Sequence, residues 1–136
     1  GSIEKNNRSG SGGGVSMVKG ASFEMKGGVI KSNSAENYGN GVYVSQGSFN
    51  MSGSAVIASN NDVYLESDTS MNVSGSLTGG DAVATITPAF YTPDTQVLKG
   101  DAFDLIPAVS KFAVTLAPGG TEWFINTSGY LQQVTQ

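Results

Sequence analysis

The chain has 136 residues, of which 11 are acidic and 7 are basic, and it contains neither histidine nor cysteine. These two absences exclude disulfide scaffolds, zinc fingers, thiolate chemistry and any catalytic or metal site that needs imidazole. A net charge of −4 with a single arginine, Arg8, disfavours nucleic acid as a partner. No run of 18 apolar residues is present, so we expect no direct membrane insertion.

Composition divides the chain into three stretches. Residues 1–11 begin with a Gly-Ser pair typical of a tag remnant, and we expect them to form a flexible lead. Glycine and serine are concentrated in residues 12–80, which we expect to form the rungs of a repeat structure. All four prolines and the only tryptophan lie in residues 81–136, which we expect to form a final rung and a cap continuous with the repeats.

The middle stretch contains three copies of one pattern. The segment GVSMVKGASFEMKGGVIKSN, from residue 14, matches GVYVSQGSFNMSGSAVIASN, from residue 41, and a shorter copy occupies residues 63–77. Apolar residues alternate within each copy, which indicates short strands with one buried face. The second copy predicts strands at 42–44, 48–52 and 55–58.

A single copy cannot bury its own inner face, so we expect the copies to stack as parallel rungs about 4.8 Å apart. Residues at matching positions would then form columns. The expected inward columns are Phe23, Phe49 and Met71; Met25, Met51 and Val73; and Ile30, Ile57 and Leu77. Asn33 and Asn60 are expected to share one corner, where stacked amides hydrogen-bond along the column.

The proline-bearing stretch predicts strands in AVATIT and QVL, followed by a short helix with Asp101 as its N-cap and Pro107 at its end. The segments FAVTL, WFI and YL predict a small antiparallel meander. The side chains expected to cover the apolar end of the solenoid are those of Phe112, Trp123, Phe124 and Leu131. The predicted fold class is therefore all-β, a right-handed parallel β-helix with a small C-terminal antiparallel β cap that contains a short helix.

Outward positions supply the candidate ligand-binding residues. Tyr43 and Tyr64 follow Ser16 in one outer row, where they are expected either to bind a sugar ring or partner side chain or to pack across rungs. Trp123, beside Tyr130, has two interpretations: part of a binding cleft or part of the cap.

One acidic cluster is a candidate metal site. Asp62, Glu66 and Asp68 lie within seven residues and are candidate calcium ligands, because calcium prefers carboxylate oxygens. The alternative is that these three carboxylates lie in a solvated loop and bind no metal. No cofactor is expected.

Several segments together resemble a known group of proteins. These are GVYV, GSFNMSGSAVIASNN, DVYL, LTGG, TITPAFYTPDTQVLKGD, KFAVT and GYL. They resemble the repeats and terminal segment of right-handed parallel β-helix regions in large, adhesin-like bacterial cell-surface proteins. The resemblance covers about residues 12–132 and implies an extracellular or cell-surface solenoid.

The functional interpretation is a noncatalytic structural or adhesion module, a C-terminal fragment of a larger bacterial surface solenoid. Lyases of this fold need carboxylate-bound calcium with a basic residue, and hydrolases need paired acids, whereas the carboxylates here are scattered. The alternatives are a fragment of a polysaccharide lyase or hydrolase, and a glycan-binding module. Expected partners are surface glycans, proteins of a host or neighbouring cell, and a second copy meeting the open N-terminal edge.

Overall fold

A computed structural model describes residues 1–134, which form sixteen short strands, one α-helix and one 3₁₀ turn. The strands are β1 (Ser2–Glu4), β2 (Asn7–Arg8), β3 (Val15–Met17), β4 (Ser22–Met25), β5 (Val29–Lys31), β6 (Ser34–Ala35), β7 (Val42–Val44), β8 (Ser48–Gly53), β9 (Val56–Ile57), β10 (Val63–Leu65), β11 (Met71–Leu77), β12 (Ala84–Pro88), β13 (Leu98–Lys99), β14 (Phe112–Val114), β15 (Trp123–Ile125) and β16 (Leu131–Gln133). The helix α1 spans Ala102–Ala108, and the 3₁₀ turn spans Val109–Lys111.

The strands stack as a parallel β-solenoid of about four rungs. Its walls are three parallel sheets with the orders β1-β5-β9, β3-β7-β10-β12-β14 and β4-β8-β11-β13, and β2 pairs with β6 in a further parallel ladder. The antiparallel pair β15-β16 lies at the C-terminal end. The predicted all-β parallel solenoid with one short helix and a small antiparallel cap is therefore confirmed.

The inner face of the solenoid is filled by columns of apolar side chains. Phe23 lies opposite Phe49 in the strand ladder, and Phe49 lies opposite Met71. The next inward column runs from Met25 through Met51 to Val73. These are the partners that the repeat alignment predicts. Phe49 and Met51 are two residues apart in one strand, so both side chains point to the same face of the sheet.

The third expected column is only partly correct. Ile30 pairs with Ile57, and Ile3 precedes them, but Leu77 lies opposite Gly53 instead of Ile57. The pairing between β8 and β11 shifts register after Val73, as at a β-bulge, and this shift moves Leu77 out of the column. Leu77 is nevertheless buried in the same core.

The N-terminal residues are ordered differently from our expectation of a flexible lead. Strand β1 pairs in parallel with β5, and β2 pairs with β6, so residues 2–8 add an incomplete rung below the first repeat. Ile3 packs against the core. Burial of this apolar side chain favours the paired conformation of residues 2–8 over a solvated one.

The C-terminal cap also differs from the predicted meander. Strand β14 extends the parallel sheet through β12, so within residues 1–134 the antiparallel contacts are the β15–β16 pair and a bridge between Gln96 and Tyr130. Phe112 and Leu131 are buried and Trp123 packs against the core, whereas Phe124 is 42% exposed and covers little of it.

The helix begins after Asp101, as expected, although the Asp101 side chain makes no capping hydrogen bond. It continues one residue past Pro107 and buries Leu105 and Ala108. Ile106, although it is apolar and follows Leu105 directly, is exposed.

We predict that Phe49→Ala lowers the free energy of unfolding by about 3–5 kcal/mol, because it empties a fully buried position in the central column. Urea denaturation followed by circular dichroism measures this loss. Phe103→Ala is the matched control, because the Phe103 side chain is 91% exposed and its removal should change stability by less than about 0.5 kcal/mol. Similar losses in the two variants would contradict the inward column.

Candidate functional site

A ladder of asparagine side chains, two of them buried, occupies one corner of the solenoid. Asn33 donates from Nδ2 to Oδ1 of Asn61 at 2.9 Å, and its backbone N–H donates to the same oxygen at 3.0 Å. Asn6 donates from Nδ2 to Oδ1 of Asn33 at 3.0 Å, which extends the ladder downward. The prediction that Asn60 is the partner of Asn33 is therefore wrong. Asn60 is exposed, and its side chain only accepts a hydrogen bond from Asn61.

The ladder is structural because the neighbouring chain uses its polar atoms. Asn33 also donates to the backbone carbonyl of Ile3 at 3.0 Å, so its amide group joins two successive rungs. Buried amides need such partners, since an unsatisfied one is costly. These contacts leave no reason to expect a sugar at this corner.

The predicted tyrosine row lies on the outer face of the sheet β3-β7-β10-β12-β14. Tyr43 is paired with Ser16 on one side and with Tyr64 on the other, and Tyr64 is followed by Thr87. The rings of Tyr43 and Tyr64 are stacked, with centroids 5.7 Å apart. Such cross-rung packing is the structural role that we considered for this pair.

A third tyrosine joins this pair from outside the repeat. The ring of Tyr38 stacks on Tyr64 with a centroid distance of 4.4 Å, and its side chain is 53% exposed. Sequence reasoning missed Tyr38 because it lies in a loop and has no counterpart in the aligned copies. No pattern in the sequence identifies it, since only the path of the loop brings it to Tyr64.

Threonines connect the tyrosines to the predicted tryptophan. Thr87 is paired with Thr115 across the sheet, their hydroxyls are 3.2 Å apart, and the Tyr91 hydroxyl is 2.7 Å from that of Thr115. The ring of Tyr91 lies 6.4 Å from that of Trp123 in a tilted arrangement. We name this continuous surface the aromatic wall, and its members are Tyr38, Tyr43, Tyr64, Thr87, Thr115, Tyr91 and Trp123.

Trp123 occupies the position predicted for a cap residue, whereas its predicted role in a binding cleft stays a prediction. It is half-buried against the core, as a cap residue would be, and it contacts the last ring of the aromatic wall. Its indole Nε1 is buried and has no hydrogen-bond partner within residues 1–134.

The side chains of Tyr43 and Tyr64 stay uncharged at neutral pH. Burial raises the pKa values of Tyr43 and Tyr64 above the ordinary value of 10.0, and the nearby negative charge of Glu66 raises them further. Glu66 lies two residues after Tyr64 and so projects from the same face of the chain. Both hydroxyls remain protonated and able to donate hydrogen bonds in physiological solution.

The structure does not gather the predicted calcium ligands. Asp62 accepts hydrogen bonds from the backbone N–H of Asn40 at 2.9 Å and from the hydroxyl of Thr87 at 2.6 Å. Within the part of the chain that the structure describes, no three acidic side chains form a metal-binding group. The candidate set Asp62, Glu66 and Asp68 therefore has no support as a metal site.

Glu66 and Asp68 instead line a concave surface that we name the corner cleft. Its volume is about 420 Å³, and the residues that characterise it are Glu66, Asp68, Phe90, Asp94, Lys99 and Tyr130. It lies between the corner that follows β10 and the loop that connects β12 to β13. No pattern in the sequence indicates this cleft, since Phe90 and Asp94 belong to a loop with no equivalent in the repeats.

We predict that Asn61→Ala lowers the free energy of unfolding by about 1–3 kcal/mol, because it removes the oxygen that accepts hydrogen bonds from both the side-chain and the backbone N–H of Asn33. Asn60→Ala is a matched control in the adjacent residue and should cost less than about 0.5 kcal/mol, since Asn60 is exposed. Urea denaturation distinguishes the two variants. A greater loss for Asn60→Ala would show that the ladder is assigned to the wrong residue.

We also predict that tyrosinate absorbance during an alkaline titration shows Tyr43 and Tyr64 ionising above pH 10. Their raised pKa values mean that the folded state holds these protons more tightly than the unfolded state. This contribution to stability is therefore complete below pH 10 and is lost as the pH rises through the folded-state values. Glu66→Gln should lower both pKa values without returning them to 10, because burial is the larger cause. An unchanged titration in Glu66→Gln would contradict this assignment.

Within residues 1–134, no helix is long and apolar enough to cross a membrane. Comparisons with protein-family models, with curated proteins and with solved structures found no match. Function is therefore inferred from the solenoid, the aromatic wall and the corner cleft.

Proposed function

We propose that the chain is a noncatalytic structural and adhesion module of a larger bacterial surface solenoid, and that the aromatic wall is its contact surface. The observation that carries this proposal is the series of contacts between rings and hydroxyls that joins Tyr43 to Trp123 through Tyr64, Thr87, Thr115 and Tyr91. An extracellular location is part of the proposal and comes from the resemblance of the repeat segments to bacterial surface solenoids.

The aromatic wall is suited to binding because its geometry is fixed before a ligand arrives. Tyr43 and Tyr64 occupy neighbouring parallel strands, and Val42, Val44 and Val63 anchor those strands in the core. A rigid, amphipathic ring loses little conformational entropy on binding. The wall can therefore use most of its contact energy for affinity.

The chemistry of the aromatic wall fits surface glycans and the side chains of partner proteins. Aromatic faces stack on apolar surfaces, including the C–H faces of sugar rings, while the hydroxyls of tyrosine and threonine offer hydrogen bonds. Tyr38 is the most accessible of the stacked rings, because more than half of its side chain is exposed. It is therefore the residue whose removal should affect binding most directly.

A fragment of a polysaccharide-cleaving enzyme is the competing function. Hydrolysis of this kind needs two carboxyl groups across one groove, with one free to donate a proton. Beside the aromatic wall, the carboxylate of Asp62 already accepts two hydrogen bonds from Asn40 and Thr87, which hold it in a structural position. We therefore favour binding over cleavage. Incubation with polysaccharides followed by chromatography tests this, since released oligosaccharides would favour the enzyme.

We predict that Tyr38→Ala reduces binding to glycans or bacterial and host cell surfaces by about fivefold or more, because a stacked aromatic contact contributes about 0.5–1.5 kcal/mol beyond its buried area. A glycan array and a cell-binding assay measure this effect. Phe103→Ala is the control, because it removes a more exposed ring that lies on α1 and outside the aromatic wall. Equal binding by the wild type and Tyr38→Ala would remove the aromatic wall as the contact surface.

A further inference from the structure

The corner cleft is a concave surface, and none of the residues that line it belongs to the aromatic wall. Its volume of about 420 Å³ falls within the range of small-molecule sites in proteins. Backbone hydrogen bonds fix both sides: Ala89 donates to Leu65 at 2.9 Å, and Met71 donates to Val97 at 2.8 Å. The cleft is therefore a formed feature of the solenoid and not a gap between loose loops.

The floor and the rim of the corner cleft differ in polarity. Leu65, Pro88 and Val97 are buried and form apolar parts of the lining. Phe90 stands at the rim with 60% of its side chain exposed, although a large apolar ring in that position gains nothing from water. Tyr130 faces the same space and is held there by its antiparallel bridge to Gln96. Because Leu65, Pro88 and Val97 are buried, the cleft offers a ligand the rings of Phe90 and Tyr130 beside polar and charged side chains.

The backbone at Asp68 breaks the pattern of the repeat. The third residue after β3 and after β7 is a glycine with positive φ, Gly20 at 82° and Gly47 at 107°. The corresponding residue after β10 is Asp68, with φ of 63°. A non-glycine residue is less favourable in this conformation, although aspartate tolerates it better than most. The chain thus carries a carboxylate at the mouth of the cleft where glycine suits the backbone best.

The charges of the corner cleft are available to a ligand. Glu66, Asp68 and Asp94 line it together with Lys99, which gives three negative groups and one positive group. Within residues 1–134, the ion pairs are Lys26–Glu24 and Lys31–Glu4, so none of the four cleft residues is paired. Carboxylates accept hydrogen bonds from hydroxyl groups and repel anions. The surplus of negative charge in the cleft therefore disfavours uronic acids and phosphorylated sugars.

The corner cleft continues along the stacking direction of the rungs. A shallower hollow of about 630 Å³ shares Glu66, Ser67, Asp68 and Thr69 with it and reaches residues 45–47 in the preceding rung. Successive rungs lie about 4.8 Å apart, which is close to the length of one pyranose unit in an extended chain. A linear chain of sugars that follows the stacking direction would therefore place successive units beside the corner after β10 and the corner after β7. The corner after β7 carries Ser45, Gln46 and Gly47 in place of the carboxylates.

From these observations we propose that the corner cleft and its shallow continuation bind a neutral linear oligosaccharide. Phe90 provides the stacking surface for one sugar ring, and Glu66, Asp68 and Asp94 accept hydrogen bonds from its hydroxyls. The site is distinct from the aromatic wall, so it does not depend on the function proposed for Tyr38, Tyr43 and Tyr64.

The test is a titration of the isotopically labelled chain with defined probes, followed by two-dimensional NMR. The neutral probes are cellotetraose, maltotetraose and chitotetraose, the anionic probe is tetragalacturonate, and the cationic probe is pentalysine. We expect at least one neutral probe to bind with a Kd of about 1 mM or lower and to shift the resonances of residues 66–70 and 89–96. Tetragalacturonate should bind at least tenfold more weakly.

Substitutions then assign the contact. Phe90→Ala should weaken binding of the neutral probe by about fivefold or more, because it removes the stacking surface. Phe103→Ala is the matched control for loss of an exposed ring, and Tyr38→Ala separates the corner cleft from the aromatic wall. Both should leave the affinity for the probe unchanged.

Three results would overturn the proposal. The first is the absence of shifts in the cleft with every neutral probe, and the second is binding of pentalysine in the cleft with no binding of sugars, which would indicate a basic peptide as ligand. The third is a Kd that does not change in Phe90→Ala. Because Phe90 is largely exposed, the variant should fold, and its NMR spectrum outside the cleft verifies this directly.

Discussion

The parallel hydrogen-bonded register between successive rungs is the constraint on which the rest of the structure depends. Because each strand lies beside its counterpart in the next rung, one position of the repeat recurs at the same place on the solenoid. Inward positions form the apolar columns of Phe49 and Met51, and outward positions form the row of Tyr43 and Tyr64. A slip by one residue would exchange these two faces, so the buried columns and the aromatic wall depend on the same register.

Buried polar contacts help to hold this register. The amides of Asn6, Asn33 and Asn61 join three rungs at one corner, and each depends on a partner in a neighbouring rung. A shift of one rung against the next would leave the buried amides of Asn33 and Asn61 without their hydrogen-bond partners. The asparagine ladder therefore contributes specificity as well as stability, and its side chains are not free to bind a ligand.

Two surfaces of different shape result from this scaffold. The aromatic wall is nearly flat and follows the strands, while the corner cleft is concave and follows the loops. Glu66 lies between them, since it raises the pKa values of Tyr43 and Tyr64 and also lines the cleft. A flat wall suits a broad contact with a glycan layer or a protein, and a cleft suits one short segment of a chain. Both follow from rigid rungs that hold loops at fixed corners.

The sequence by itself determined the solenoid, the inward columns through Phe49 and Met51, and the outer tyrosine pair, because alternation and repeat spacing specify which residues share a face. It could not choose between Asn60 and Asn61, since the two adjacent asparagines are chemically identical and only the path of the corner buries one of them. Leu77 lies outside its predicted column because of a register shift, and the repeat pattern contains no sign of that shift. Pairing of residues 2–8, stacking of Tyr38 on Tyr64 and formation of the corner cleft were decided by the tertiary structure alone. Each joins segments that lie outside the repeat, and only folding brings these segments together.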